Sequence, residues 1–375
     1  MVPTVTTIPI QYLASGDRLS IPVYKFIGAT PGKKAYIQAN LHGSEIVGNA
    51  VIHQLIEFFS HLEDSQLTGE IWLVPVCNPI GTNQRNHFFA TGRFNPYDGK
   101  DWNRIFWDYE KEEEDLAEFA EVQIHYSPEE IRKNYLARIQ ASFEEHRNKL
   151  NSPSGIPFSE RYRYQLQSLC LDANYVIDIH SSTNQAIDYL YCFQSREESA
   201  KAFLLDRGIL MNEYDGDAFD EAFMKPWLAL EKQLAAFGKA IQFDVESWTL
   251  ELGSGMEMNP DSVKKGVLGI KNYLAQKKLL NCPDLPLEKT TSQSVKFTIK
   301  SQIKQYYAPA GGMIQSRVPL GSQIQSEQPL YQLLSFNREG DLPQIIDVQA
   351  ESDGWVFSVA KNYAVNEGEY VLSIM

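Results

Sequence analysis

The sequence predicts an open α/β sheet followed by a separate all-β unit, and three observations carry that prediction. Three short apolar runs, 35–41, 175–179 and 249–253, have strand character, and each carries or leads into a side chain able to do chemistry. The first run passes straight into a helical stretch at 46–59, the strand-then-helix order of an α/β layer. Beyond Cys282-Pro283-Asp284-Leu285-Pro286 helical periodicity stops, and 294–375 consists of short alternating runs punctuated by glycine and proline.

The run 35–41 (AYIQANL) ends in His42-Gly43-Ser44-Glu45. A strand that closes on His-x-x-Glu and opens a helix puts an imidazole and a carboxylate at one corner of a sheet, a spacing that suits two ligands of one zinc ion. Taken alone, the motif is common. His42 then reads as a strand-end histidine bonded to backbone, and Glu45 as an acid favouring a helix N-terminus. The candidate third ligand is His180, which ends the run YVIDI, with Asp178 two residues earlier as an acceptor for its ring. The run TLELG carries Glu251, and a carboxylate in an apolar strand is costly unless a charge partner or a reaction needs it there. Sites in open α/β sheets are built at the carboxyl ends of strands. Two histidines and a carboxylate to hold zinc, with a further glutamate to take a proton from water, are the parts of a metal hydrolase.

With these residues placed, the chain resembles the zinc carboxypeptidase-like hydrolases, and among them the succinylglutamate desuccinylase/aspartoacylase branch. The resemblance runs in order through the segment Ser15 to Val23 (SGDRLSIPV), the segment Gln38 to Glu45 (QANLHGSE), Val74-Pro75-Val76-Cys77-Asn78-Pro79 with the arginine-bearing segment Arg93 to Arg104 (RFNPYDGKDWNR), Asp178-Ile179-His180-Ser181 and Leu250-Glu251-Leu252-Gly253. It implies a mixed-sheet α/β/α catalytic domain closed by an all-β, barrel-sandwich-like domain. It further implies one zinc per chain on His42, Glu45 and His180, Glu251 as general base, and Asn103 and Arg104 gripping a substrate carboxylate. A planar guanidinium with a neutral amide donor suits that grip. Arg93 fits the place of the arginine that stabilises the oxyanion, with nearby Arg85 as its rival and an exposed loop position as the plainer reading of either. Trp102 stands where the branch commonly has leucine.

The expected domains are 1–285, catalytic, with a helical insertion at about 107–167, and 290–375, all-β. Inside the insertion Ser127-Pro128-Glu129-Glu130 reads as an N-cap, a first-turn proline and a capping-box glutamate, opening a helix to about 150 with Ile131, Tyr135, Ile139 and Phe143 on one face. Surface padding, a lid and a subunit contact all remain open as its role. In the all-β unit, 308–314 is echoed by 351–356 and 324–333 by 365–374, a weak repeat similar to biotinyl and lipoyl carriers. The hairpin at 336–344 (FNREGDLPQ) has no lysine to modify, so the carrier role is not expected.

At 375 residues the chain can bury a full α/β core and one small domain. A net charge of -14 argues against nucleic acid, although a pocket in an acidic protein can still be locally positive. No apolar run approaches ~18 to 20 residues and no secretory leader is evident, so no membrane span and a cytoplasmic location are expected. Cys77, Cys170, Cys192 and Cys282 lack C-x-x-C spacing, which speaks against a disulfide framework. His53 reads as a packing or surface histidine, and His87, in the loop with Arg85, as an exposed loop histidine with a place facing the site as its alternative. The function expected is zinc-dependent cleavage of the amide of a small N-acyl amino acid or related carboxylate-bearing substrate, with self-association left open. A carboxypeptidase acting on a peptide C-terminus shares every catalytic residue. A non-catalytic zinc-binding relative is disfavoured because it has no need of Glu251.

Overall fold

The computed structural model describes residues 1–87, 90–214, 217–287, 290, 293–336, 340 and 342–375. In chain order the elements of the first part are β1 Thr4–Tyr12, β2 Arg18–Ile27, β3 Thr30–Ala39, α1 Val47–Ser60, β4 Thr68–Val74, α2 Pro79–Asn83, α3 Leu116–Gln123, α4 Pro128–Asn148 and α5 Phe158–Gln167. They continue through β5 Tyr175–Ser182, β6 Gln185–Ala186, β7 Tyr189–Phe193, α6 Glu197–Ala200, β8 Arg207–Met211, α7 Phe219–Ala236, β9 Glu246–Ser254, α8 Pro260–Gln276 and β10 Lys296–Ile299. The last part holds β11 Lys304–Tyr307, β12 Gly312–Gln315, β13 Gln323–Ile324, β14 Pro329–Ser335, β15 Gln344–Gln349, β16 Gly354–Val359, β17 Ala364–Val365 and β18 Tyr370–Ile374.

A nine-stranded mixed sheet, β1-β2-β4-β3-β5-β9-β7-β8-β10, carries the first part of the chain. Its centre, β4-β3-β5-β9, is parallel, and antiparallel pairings join β2 to β4 and β7 to β9. Period-2 alternation sends Ile37, Ile177 and Leu250 to one face, under Val51 and Leu55 of α1 and Ile270 and Tyr273 of α8. Tyr36 and Val176 point to the other face, under Trp107, Tyr135, Phe143 and Trp227. Both faces are thereby covered, the condition under which a parallel sheet is stable.

The insertion forms part of that second layer. Ser127 caps α4 with a reciprocal Glu130 box and Pro128 in the first turn, and Ile131, Tyr135, Ile139 and Phe143 are its buried face. Surface padding is therefore the wrong description, because these side chains belong to one of the two main cores. β10 needs a second correction. It lies in the stretch that reads as all-β, yet it pairs parallel with β8 from Lys296↔Arg207 to Ile299↔Leu210. Alternation in four residues says that a strand forms and nothing about which sheet receives it.

Beyond β10 the internal repeat appears as matched pairing. β12 pairs with β14 of its own half and β17 of the other, while β16 pairs with β18 of its own half and β13 of the other. Each half thus lends a short strand to its counterpart, around a shared core that includes Leu330, Leu333, Val356 and Leu372. Residues 337–339 and 341 of the 336–344 hairpin lie outside the described residues. The unit docks on the first part of the chain where β16 pairs with β6 and Phe357 packs edge-on to Tyr189 at 5.4 Å. Among the described residues no helix is long and apolar enough to cross a membrane.

Candidate active site

β3 stops at Ala39 because Asn40 takes a left-handed conformation at φ 69°, which asparagine tolerates better than most residues. Its side-chain nitrogen donates to the carbonyls of His42 and Gly43, each at 3.1 Å, and so shapes the turn between strand and α1. Gly43 is required there. A Cβ on it would lie 1.9 Å from the Gly81 carbonyl oxygen, while its own N–H donates to the Gly92 carbonyl at 3.1 Å. Two loops and the short helix α2 thus meet backbone to backbone, and the loop of Gly92 sets Arg93 beside His42.

β5 and β9 run parallel with His180 opposite Glu251, so these side chains are neighbours on one face. Glu45 accepts from both imidazoles: His42 Nδ1 lies 2.9 Å from its Oε1 and His180 Nδ1 lies 2.7 Å from its Oε2. The other ring nitrogens point away to carboxylates. His42 Nε2 is 2.9 Å from Asp101 Oδ1, and His180 Nε2 is 2.9 Å from Asp178 Oδ2. Asp178 was expected on sequence spacing.

All three side chains are buried. Burial opposes ionisation of Glu45, but the two histidines outweigh it and hold the carboxyl well below its usual range. Burial likewise works to lower both imidazoles. Glu45 and Asp101 outweigh it at His42, and Asp178 and Glu45 at His180, so both pKa values rise. Glu251 is pushed up to about 7, first by burial and then by the negative charge of Glu45.

Two imidazole nitrogens and a carboxylate oxygen of His42, Glu45 and His180 lie within 4.8 Å of one another. That is a donor set zinc accepts, and each ring is already oriented from behind by a carboxylate. Beside it, Glu251 Oε2 is buried with no hydrogen-bond partner among the described residues. The residues therefore fit a zinc ion, with a carboxylate held beside it.

A cavity of about 480 Å³, within the range of small-molecule sites, is lined by these three residues, Glu251, Arg93, Asn103 and Arg104. Arg93 Nε pairs with Asp101 Oδ2 at 2.8 Å, and its Nη1 lies 3.7 Å from Glu45 Oε1. Arg85 instead donates to the Thr82 and Gln84 carbonyls of its own loop and stays outside the cavity lining. Asn103 accepts from the Phe219 N–H at 2.8 Å, which ties it to the start of α7. Arg104 is exposed, donates to the Asn103 carbonyl and makes no ion pair with a described residue. Trp102 is buried, as an anchor beneath this pair. His53 and His87 are exposed and do not line the cavity.

The sequence reading missed several lining or supporting groups. Asp101 joins His42, Arg93 and the Asn103 N–H, and its signal was present, an acid in capping position just before the Asn-Arg pair. Thr183, 3.4 Å from Glu45 through its hydroxyl, and Lys300, just after β10, gave no comparable signal.

Residues 31–138 match the succinylglutamate desuccinylase/aspartoacylase catalytic domain, a span that holds His42, Glu45, Asn103 and Arg104. A protein of Shewanella amazonensis assigned to that family superposes with a TM-score of 0.86 at 29% identity, over 99% of this chain and 98% of its own. One from Shewanella frigidimarina gives 0.86 at 26% identity, over 100% and 97%. The product-bound ectoine utilization protein of Ruegeria pomeroyi shares the fold, at 0.65 and 16% identity over 99% and 94%. No curated protein matches the chain.

Proposed function

We propose that this chain, related through its catalytic region to the succinylglutamate desuccinylase/aspartoacylase family, is a zinc-dependent hydrolase of the amide bond in a small N-acyl amino acid or related carboxylate-bearing amide. The relation supports a deacylase-like hydrolase. The observation that carries the finer reading is the Glu251 carboxylate oxygen, buried and without a hydrogen-bond partner among the described residues, beside the His42, Glu45 and His180 donors and in one cavity with Arg104.

Zinc on these three residues would supply a Lewis acid and an acidified water. Glu251 is placed to take a proton from the attacking water and pass it to the leaving nitrogen. Arg93, on the cavity wall beside the donor cluster, offers N–H groups to the oxyanion. Arg104 and Asn103 hold the substrate carboxylate, the guanidinium as a bidentate fork. The all-β unit acts as a buttress for β6 and Tyr189, on which it docks, without a carrier role.

The test is metal analysis of the purified protein, followed by a screen of N-acyl amino acids and short peptides for released amine. Metal-dependent release from acyl amino acids sustains the proposal. Cleavage confined to peptides makes the enzyme a carboxypeptidase, and zinc-loaded protein inert on both classes sinks the hydrolase reading.

A further inference from the structure

The charged groups around the cavity are matched to one another in a pattern that bears on substrate class. Arg93 is paired with Asp101. Lys300 Nζ lies 3.5 Å from Glu221 Oε1 and donates to the Glu213 carbonyl at 3.0 Å. Asp220, buried at the start of α7, accepts from the Thr249 hydroxyl at 2.8 Å. Of the cavity's described cationic side chains, only Arg104 has no acidic partner among the described residues. The wall also offers apolar surface from Tyr191, Met211 and Ala218.

Resting on the reaction proposed above, we infer that the substrate is the N-acyl derivative of a neutral, apolar amino acid with a single carboxylate, and not a dicarboxylate such as an N-acylaspartate or N-succinylglutamate. Arg104 takes that carboxylate, and Tyr191, Met211 and Ala218 receive the side chain. A second carboxylate would have to enter beside Asp220 and Glu221. It would gain Lys300 only by drawing that cation away from Glu221. Discrimination here comes from repulsion as much as from attraction.

The test compares N-acetylleucine and N-acetylmethionine with N-acetylaspartate and N-succinylglutamate. Two readouts are taken on the full chain: kcat/KM of the zinc-loaded protein, and calorimetric binding to its Glu251→Gln variant. The neutral compounds are expected to lead by about 100-fold or more, the scale of a like-charge juxtaposition. Glu221→Gln removes the repelling charge and releases Lys300, so it should narrow that gap by at least about 10-fold. Lys300→Met should leave the neutral compounds ahead. Equal or better performance of the dicarboxylates in the unmodified chain overturns the inference while leaving the hydrolase reading intact. Should no compound be turned over, the reaction is wrong, and the binding order on the Glu251→Gln variant still decides the substrate class.

Discussion

Glu251 and Asp101 illustrate two ways a carboxylate can serve one site. Glu251 keeps one buried oxygen without a hydrogen-bond partner among the described residues, in keeping with the base role proposed for it, whereas both Asp101 oxygens are engaged, by His42 and the Asn103 N–H on one and by Arg93 on the other. Glu251→Gln should fold, hold zinc and bind substrate, yet turn over at least ~100-fold more slowly, the low end for losing a positioned general base. Metal content and single-turnover rates check this, and loss of zinc in the variant would make Glu251 a ligand instead. Asp101→Ala should weaken zinc binding by roughly 10- to 100-fold, the range for removing a carboxylate behind a ligating histidine. Competition with a chelator measures it, and unchanged affinity would deny Asp101 that role.

At the scale of elements, the helical insertion is a core layer. No described residue between 107 and 167 lines the cavity, and its buried face contributes to stability. Phe143→Ala, at a fully packed position on α4, should lower unfolding free energy by about 3 to 5 kcal/mol. Turnover per folded molecule should stay as it was. Denaturant titration with activity normalised to folded protein separates the two quantities, and a large fall in normalised turnover would restore the lid reading.

Across the whole molecule, the cluster of His42, Glu45 and His180 ties folding to pH. Raised histidine pKa values mean that the metal-free cluster adds stability below the ordinary histidine value of ~6.5 and loses it as pH climbs through the raised values. Zinc requires those same imidazoles neutral, so its affinity increases with pH and binding expels protons. The Tm difference between zinc-loaded and zinc-free protein should therefore widen from pH 6 to pH 8. Parallel thermal scans test this, and a gap that narrows would contradict the coupling of His42 and His180 to Glu45. The same coupling spans distant segments of chain, since His180 reaches Glu45 across 135 positions.

What the sequence determined by itself is local or periodic. The α4 capping box and buried face, the apolar strands that carry His180 and Glu251, and Asp178 two residues before its histidine all follow from spacings of two, three and four residues. These spacings survive folding because backbone geometry turns them directly into direction. Tertiary structure decided what depends on partners far along the chain. It seated Arg93 and not Arg85, through the close approach of Gly43, Gly81 and Gly92, and it gave β10 to the large sheet and so brought Lys300 to the cavity. It also turned the insertion into a core layer. Backbone-to-backbone approach and strand pairing are long-range choices, made by the packing of the whole chain, and no short stretch of residues encodes them alone.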